Sequence, residues 1–433
     1  MTTAVGPVHG LTTFPDEHAK AAEFNSRASA RIGAVLLMLL TFCNSATFLR
    51  GEENHYSFDW HIALRLVLCG ACGLFGLFHL RMSTGALFRG PGILVAAFGF
   101  WIVIILPFAE RPTNSAGACA ALWGVILFVV SLKDILQTRH FIECMVVSLL
   151  TFLVGSWVAY FFLPSLGREI LHFPDGSVVE RFGGLASSQS VGLVAALTFA
   201  LILGLGVERA VRWRALLLPM AFVALTILVT NSRTSAISAS TAILVAVVRS
   251  VGFTRRAVFA VMLLLLAGTI GVFVFSTGVI RLNEDEILTR LSRSGESVEI
   301  YNVSGRTVIW SFFIDKFRDS PLVGYGLGCA RFVPREAYLH AHNQLLNMFV
   351  ETGVFGGGLL LLQFLVLVRR FFVAPNPYFD LFLVVAFIGG LTERVPFAPI
   401  PDSFTVLWML ALFAPARKRW TSSRDGTSAE EFS

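Results

Sequence analysis

Apolar runs separated by short polar connections recur along the whole chain, at 31–49, 58–80, 91–108, 115–132, 141–163, 189–206, 215–230, 236–248, 257–278, 343–368, 378–392 and 403–416. A bilayer core is crossed by about 20 apolar residues in a helix, and by fewer where a helix ends in a protein-lined cavity. The pattern therefore predicts an all-α polytopic membrane protein with about twelve spanning helices, the eighth and eleventh short. One long polar segment, 279–342, separates helices nine and ten, and a shorter one runs from about 164 to 188.

Inside the long segment, "RTVIWSFFIDKFRD" (306–319) sets Val308, Ile309, Phe312, Phe313 and Phe317 near one side of a helix. Asp315, Lys316, Arg318 and Asp319 fall towards the other side, and Trp310 adds an interfacial ring. Such a helix can lie flat on a leaflet. "DSPLVGYGLG" then stops it with Pro321 and alternating glycines, which predicts a tight, irregular backbone.

Composition agrees with the pattern. The 433 residues are 55% hydrophobic and only 14% charged, with mean hydropathy +0.72, which excludes an ordinary soluble enzyme. The net charge of +6 does not imply nucleic acid, because basic residues mark cytoplasmic connections in membrane proteins. Residues 1–30 lack the short apolar stretch and small-residue cleavage site of a signal peptide. Cys43, Cys69, Cys72, Cys119 and Cys144 lie in or beside apolar runs and Cys329 in the long loop, so no disulfide framework is expected. Cys69 and Cys72 have redox-motif spacing but read as packing residues.

Arginine and lysine in the short connections fix the expected orientation. With the N-terminus inside, the cytoplasmic side receives Arg81, Arg89, Lys133, Arg139, Arg209, Arg212, Arg214, Arg249, Arg255, Arg256, Arg369, Arg370 and Arg417 to Arg419. The opposite connections hold only Arg50, Arg111, Arg168, Arg181, Arg233 and Arg394. The expected organisation is a cytoplasmic tail (1–30), nine helices (31–278), an outer loop (279–342), three helices (343–416) and a second cytoplasmic tail (417–433).

The candidate chemistry then falls on the outer side. Arg181 in "VVERFGGLASSQSVG" and Arg233 in "TNSRTSAIS" stand at helix ends, where arginine either snorkels to headgroups or meets a ligand. Arg306 opens the loop helix, as a solvated residue or as a ligand contact. His342 and Asn343 open the tenth run, with His340 just before them as a structural or accessory group. Asn347 and Glu351 share a helical face, and a carboxylate at that depth needs a partner. Arg65 in "DWHIALRLVL" is one possible partner, for Glu351 or for a phosphate. The acidic "NEDE" at 283–286 has no histidine at ligand spacing, so metal binding is not expected. Asn302-Val303-Ser304 fits a glycosylation pattern too common to carry weight. Phosphate-loop and dinucleotide fingerprints are missing, as are internal repeats of the kind found in transporters.

"SGRTVIWSFFIDKFRDSPLVGYGLG" followed by "HAHNQLLNMFVETGVFGG" resembles the bacterial O-antigen ligase and polysaccharide polymerase superfamily, including exopolysaccharide polymerases. The shared pattern is Gly305-Arg306, Trp310, Pro321-Leu322 with Gly324, Gly326 and Gly328, then His342-Asn343, and Glu351 with Gly353 and Gly356. "RFGGLASSQSVG" and "NSRTS" resemble two further family segments, although Ser188-Gln189 replaces the usual Pro-Asn. The resemblance implies a GT-C-like glycosyltransferase of the inner membrane, using an undecaprenyl-diphosphate-linked glycan at the periplasmic face. It implies His342 as catalytic base, Arg233, Arg306 and Arg181 on the diphosphate, and Asn343, Glu351 and His340 in support. No cofactor or metal is implied. The expected partners are the lipid-linked donor, a glycan or lipid-linked acceptor, the bilayer, and flippase and chain-length or export proteins. The resemblance leans towards polymerase, with O-antigen ligase, or a flippase for the same lipid-linked glycan, as alternatives.

Overall fold

The computed structural model describes residues 17–47, 60–79, 84–172, 178–250, 306–333 and 341–414. Side chains are described for these except at 17–25, 84, 171–172, 178–179 and 306–308. The predicted run at 257–278, most of the 279–342 loop, His340 and both predicted tails lie outside the described residues.

The elements in order are α1 (Glu17–Ser45), α2 (Trp60–His79), α3 (Thr84–Leu87), α4 (Gly92–Ile104), α5 (Pro112–Ile135), α6 (Thr138–Phe162) and α7 (Pro164–Gly167). Strands β1 (Arg168–His172) and β2 (Val178–Phe182) follow, then α8 (Ser188–Val207), α9 (Trp213–Val229) and α10 (Arg233–Ser250). After the long loop begins come α11 (Arg306–Asp319), α12 (Gln344–Val373), α13 (Pro377–Thr392) and α14 (Ser403–Phe413). Among the described residues, six helices are long and apolar enough to cross a membrane: Ser26–Ser45 of α1, α2, α5, α6, α8 and α12. The apolar α4, α9, α13 and α14 are shorter. The chain is an all-α multi-pass membrane protein, with one antiparallel hairpin among the described residues, β1 to β2, in register Glu169 opposite Arg181.

Local chemistry starts and spaces these helices. Asn376 caps α13 by accepting from the Tyr378 and Phe379 amides, with Pro377 at the first helical position. Asp402 caps α14 in a reciprocal box with Thr405. Helix α8 is apolar on every side and packs against α6, α9, α10 and α13, the pattern of a central helix. Close approach decides the α2–α5 pair, where a Cβ at Gly76 would lie 2.5 Å from the Leu127 backbone.

Helix α14 departs from the expected full crossing. Every residue from Ser403 to Phe413 is buried, and eleven residues rise only about 16 Å at 1.5 Å each, about half of a ~30 Å hydrocarbon core. The connection 393–402 is consequently drawn into the bundle, with Val395, Pro396, Phe397 and Pro401 buried. Polar contacts hold it there: Asn44 Nδ2 donates to the Pro401 carbonyl at 2.5 Å, and the Thr405 hydroxyl donates to that of Pro396.

Burial raises the Asp402 carboxyl to about 6. The folded state therefore binds this proton more tightly than the unfolded chain, and the resulting stability is present at low pH and lost as pH rises through about 6. Asp402→Asn keeps a good cap without the charge. Thermal unfolding in detergent should show it more stable than the parent at pH 7.5, by roughly 2–3 kcal/mol, with the gap closing below pH 5.

Candidate functional site

Helix α12 is broken at Gly353, whose φ of 67° and ψ of −173° cannot continue an α-helix. A break inside an apolar run frees backbone groups that must find partners. The glycine loop after α11 supplies most of them. Tyr325 N donates to the Val350 carbonyl at 3.0 Å, and Gly326 N to that of Glu351 at 2.8 Å. Val354 N donates to the Pro321 carbonyl at 2.8 Å, and Trp101 Nε1 to that of Thr352 at 2.8 Å. The two backbones lie so close that a Cβ at Gly353 would fall 2.0 Å from the Leu322 oxygen. Gly324, Gly326 and Gly328 all have positive φ, as the alternating pattern predicts.

Glu351 sits at the break with its carboxylate fully buried. Gly328 N donates to one oxygen at 3.0 Å and Ala330 N to the other at 3.3 Å. Arg394, from the buried connection, donates to the second oxygen at 2.5 Å. Arg65 is therefore not the partner that Glu351 needs: its guanidinium binds the Asn44 side chain at 3.1 Å and the Asn44 carbonyl at 3.2 Å. Glu351 fastens the glycine loop, the break and the 393–402 connection together.

His342 stands immediately before α12. Its φ of 48° lies in the left-handed region, which costs a non-glycine residue about 1–2 kcal/mol and persists only where neighbours enforce it. On one side, Ala341 N donates to Asn347 Oδ1 at 3.1 Å and Trp310 Nε1 donates to the Ala341 carbonyl at 2.8 Å. On the other, Asn343 caps α12 by accepting from Leu346 N at 3.0 Å. The imidazole is partly exposed, and its Nδ1 lies 3.3 Å from Glu393 Oε2. A carboxylate there favours the tautomer with the proton on Nδ1, in which Nε2 is the basic ring nitrogen.

Arg233 opens α10 and is exposed. The next residue, Thr234, accepts a hydrogen bond at 3.1 Å from Thr392, which directly precedes Glu393. The first turn of α10 is thus brought to the His342–Glu393 pair. Arg181 is on β2, buried, and its Nε has no hydrogen-bond partner among the described residues. Its partner across the hairpin, Glu169, accepts from Ser188 N at the start of α8 at 2.8 Å. Arg306 is the first residue of α11, with its side chain outside the described residues.

Two expectations change. Helix α11 spends its apolar face on protein: Phe313 is buried with Ala330, Ala341 and Val350, and Phe317 meets Phe349 at 5.6 Å between ring centres. Trp310 is accordingly a hydrogen-bond donor to Ala341 instead of a lipid anchor. Glu393 and Arg394 are additions. Their signal in the sequence is a charged dipeptide directly after an apolar run, on the side expected to carry His342.

The buried pair sets a stability test. Glu351→Ala strands Arg394, and unfolding in detergent should show a loss of about 3–5 kcal/mol. The double variant Glu351→Leu, Arg394→Met should recover part of that loss.

No curated protein matches the chain. Residues 218–361 match the family described as O-antigen ligase. The stretch begins within α9 and ends within α12, so it contains Arg233, Arg306, His342, Asn343 and Glu351, while Arg181, Glu393 and Arg394 lie outside it. The third of the chain that holds His342 is thus similar to the O-antigen ligase family.

Proposed function

We propose that the protein is a membrane glycosyltransferase that polymerises undecaprenyl-diphosphate-linked repeat units into an exopolysaccharide, capsule or O-antigen-type glycan. On this reading the end of the bundle bearing His342 faces the periplasm, both termini are cytoplasmic, and the membrane is the bacterial inner membrane. The observation that carries the reading is His342, set against Glu393 at 3.3 Å and lying within the stretch that matches the O-antigen ligase family.

The chemistry follows from the residues. His342 Nε2 takes the proton of an acceptor hydroxyl as that oxygen attacks the anomeric carbon. The bond from this carbon to the diphosphate oxygen breaks, and the electron pair leaves with undecaprenyl diphosphate. Attack opposite the leaving group inverts the anomeric configuration. Glu393 stabilises the imidazolium that forms. Arg233 and Arg306, with Arg181 as a third, take up the negative charge growing on the diphosphate, a task for which permanently charged guanidinium groups are suited. These cations supply the electrostatic help that a metal would otherwise give.

The family description favours a second reading, in which the finished glycan is passed to lipid A core. The two differ only in the acceptor. In a deletion strain, loss of a polymerase leaves single repeat units on the outer leaflet. Loss of a ligase leaves long chains on the lipid carrier. Repeat units retained on the cytoplasmic leaflet would point to a flippase and overturn both readings.

Turnover can be measured with the lipid-linked glycan extracted from that strain. His342→Ala should lower it about 10²–10⁴-fold, and Arg233→Ala about 10²–10³-fold. Glu393→Gln should fall between His342→Ala and the parent. Near-normal turnover by His342→Ala protein would remove the base assignment.

A further inference from the structure

Helix α11 grips the peptide group that leads into His342. Trp310 Nε1 donates to the carbonyl of Ala341 at 2.8 Å, and Asn347 Oδ1 accepts from the amide of the same residue at 3.1 Å. Ala341 and Asn347 are fully buried, so bulk water does not compete for either bond. The gripped peptide leads directly into His342, whose backbone is left-handed at φ 48°. A residue in that conformation relaxes unless its neighbours fix it. Asn343 fixes the far side as the cap of α12. The near side is fixed by Trp310 and Asn347.

The packing separates this grip from the main core. Phe313, Ala330, Ala341 and Val350 form a small core of their own, with Ile309, Trp310, Phe312, Phe317, Tyr325 and Leu346 around it. Helix α11 enters the structure through this cluster. Arg306 opens the same helix one turn before Trp310, so both ride on one rigid element.

The geometry points to Trp310 and Asn347 as positioning residues that hold His342 in its working orientation, with α11 setting the spacing between the diphosphate-binding arginine and the base. The inference rests on the reading of His342 as base and adds what keeps it in place. Neither side chain touches the reacting atoms. Both act through the Ala341 peptide, and a displacement of about 1 Å at such a group costs up to about 10²-fold in turnover.

The test uses the full chain in proteoliposomes, with the lipid-linked glycan extracted from a deletion strain as substrate. Undecaprenyl diphosphate alone serves as the binding probe. Trp310→Phe keeps an aromatic ring but removes the indole N–H together with the five-membered ring that carries it, and Asn347→Leu keeps the approximate shape and removes the acceptor. Each should lower kcat about 10- to 100-fold, while the affinity for undecaprenyl diphosphate and the donor KM stay within about threefold and the unfolding midpoint stays close to the parent's. A Trp310→Phe enzyme with parental kcat would overturn the inference. So would a parallel loss of kcat and diphosphate affinity, which would place the effect on the donor. If Trp310→Phe unfolds early, Asn347→Leu carries the same comparison from the α12 side. His342→Gln, run alongside, separates the two levels. Full activity there removes the base reading itself, whereas an inactive His342→Gln with an unaffected Trp310→Phe removes only the positioning role.

Discussion

The site depends on an interrupted helix. At Gly353 the backbone of α12 stops being helical in the middle of an apolar run, and its freed carbonyls are satisfied by amides of the Pro321–Gly328 loop. In a water-poor environment an unpaired peptide group is costly, so the loop and the break specify one another. Glycines are needed on both strands of this contact because side chains would occupy the space where the two backbones meet. What reads in the sequence as two separate glycine patterns is one interlocked backbone structure.

Much of the candidate site is hung on that junction. Glu351, two residues before the break, captures two loop amides and Arg394 together. This draws the 393–402 connection inward and delivers Glu393 to His342. The Thr234–Thr392 contact brings the start of α10 to the same place. Such an ion pair adds little net stability over an apolar pair of the same shape, because both charges lose their hydration. Its value here is placement, since it joins segments that packing alone would leave free to slide.

Much of this could be read from the residues. The apolar runs locate eleven helices among the described residues, and Pro321 with its alternating glycines marks the irregular loop. His342 and Asn343 are visible as polar residues at a helix start, and Asn343 is its cap. The depth of Glu351 demanded a cation, but 43 residues separate it from Arg394 and no local pattern links them. Periodicity likewise treats 343–368 as one uninterrupted helix, because Glu351-Thr352-Gly353 is too short to disturb an apolar average. The docking of α11 was hidden for another reason. An amphipathic face looks the same whether lipid or protein covers it, and only the tertiary structure shows Phe313 and Phe317 packed on α12 and its neighbours.

The Glu351–Arg394 pair also has a consequence for how the protein is made. The carboxylate leaves the ribosome well before its guanidinium, with all of α13 between them. Until α13 is inserted and its trailing connection folds back, α12 carries an uncompensated acid, and the glycine loop has only part of its anchorage. The end of the bundle that carries His342 is therefore finished late in biogenesis, after most of the membrane scaffold is already in place. A nascent chain halted before Arg394 would hold the stretch that matches the O-antigen ligase family and still lack a settled site.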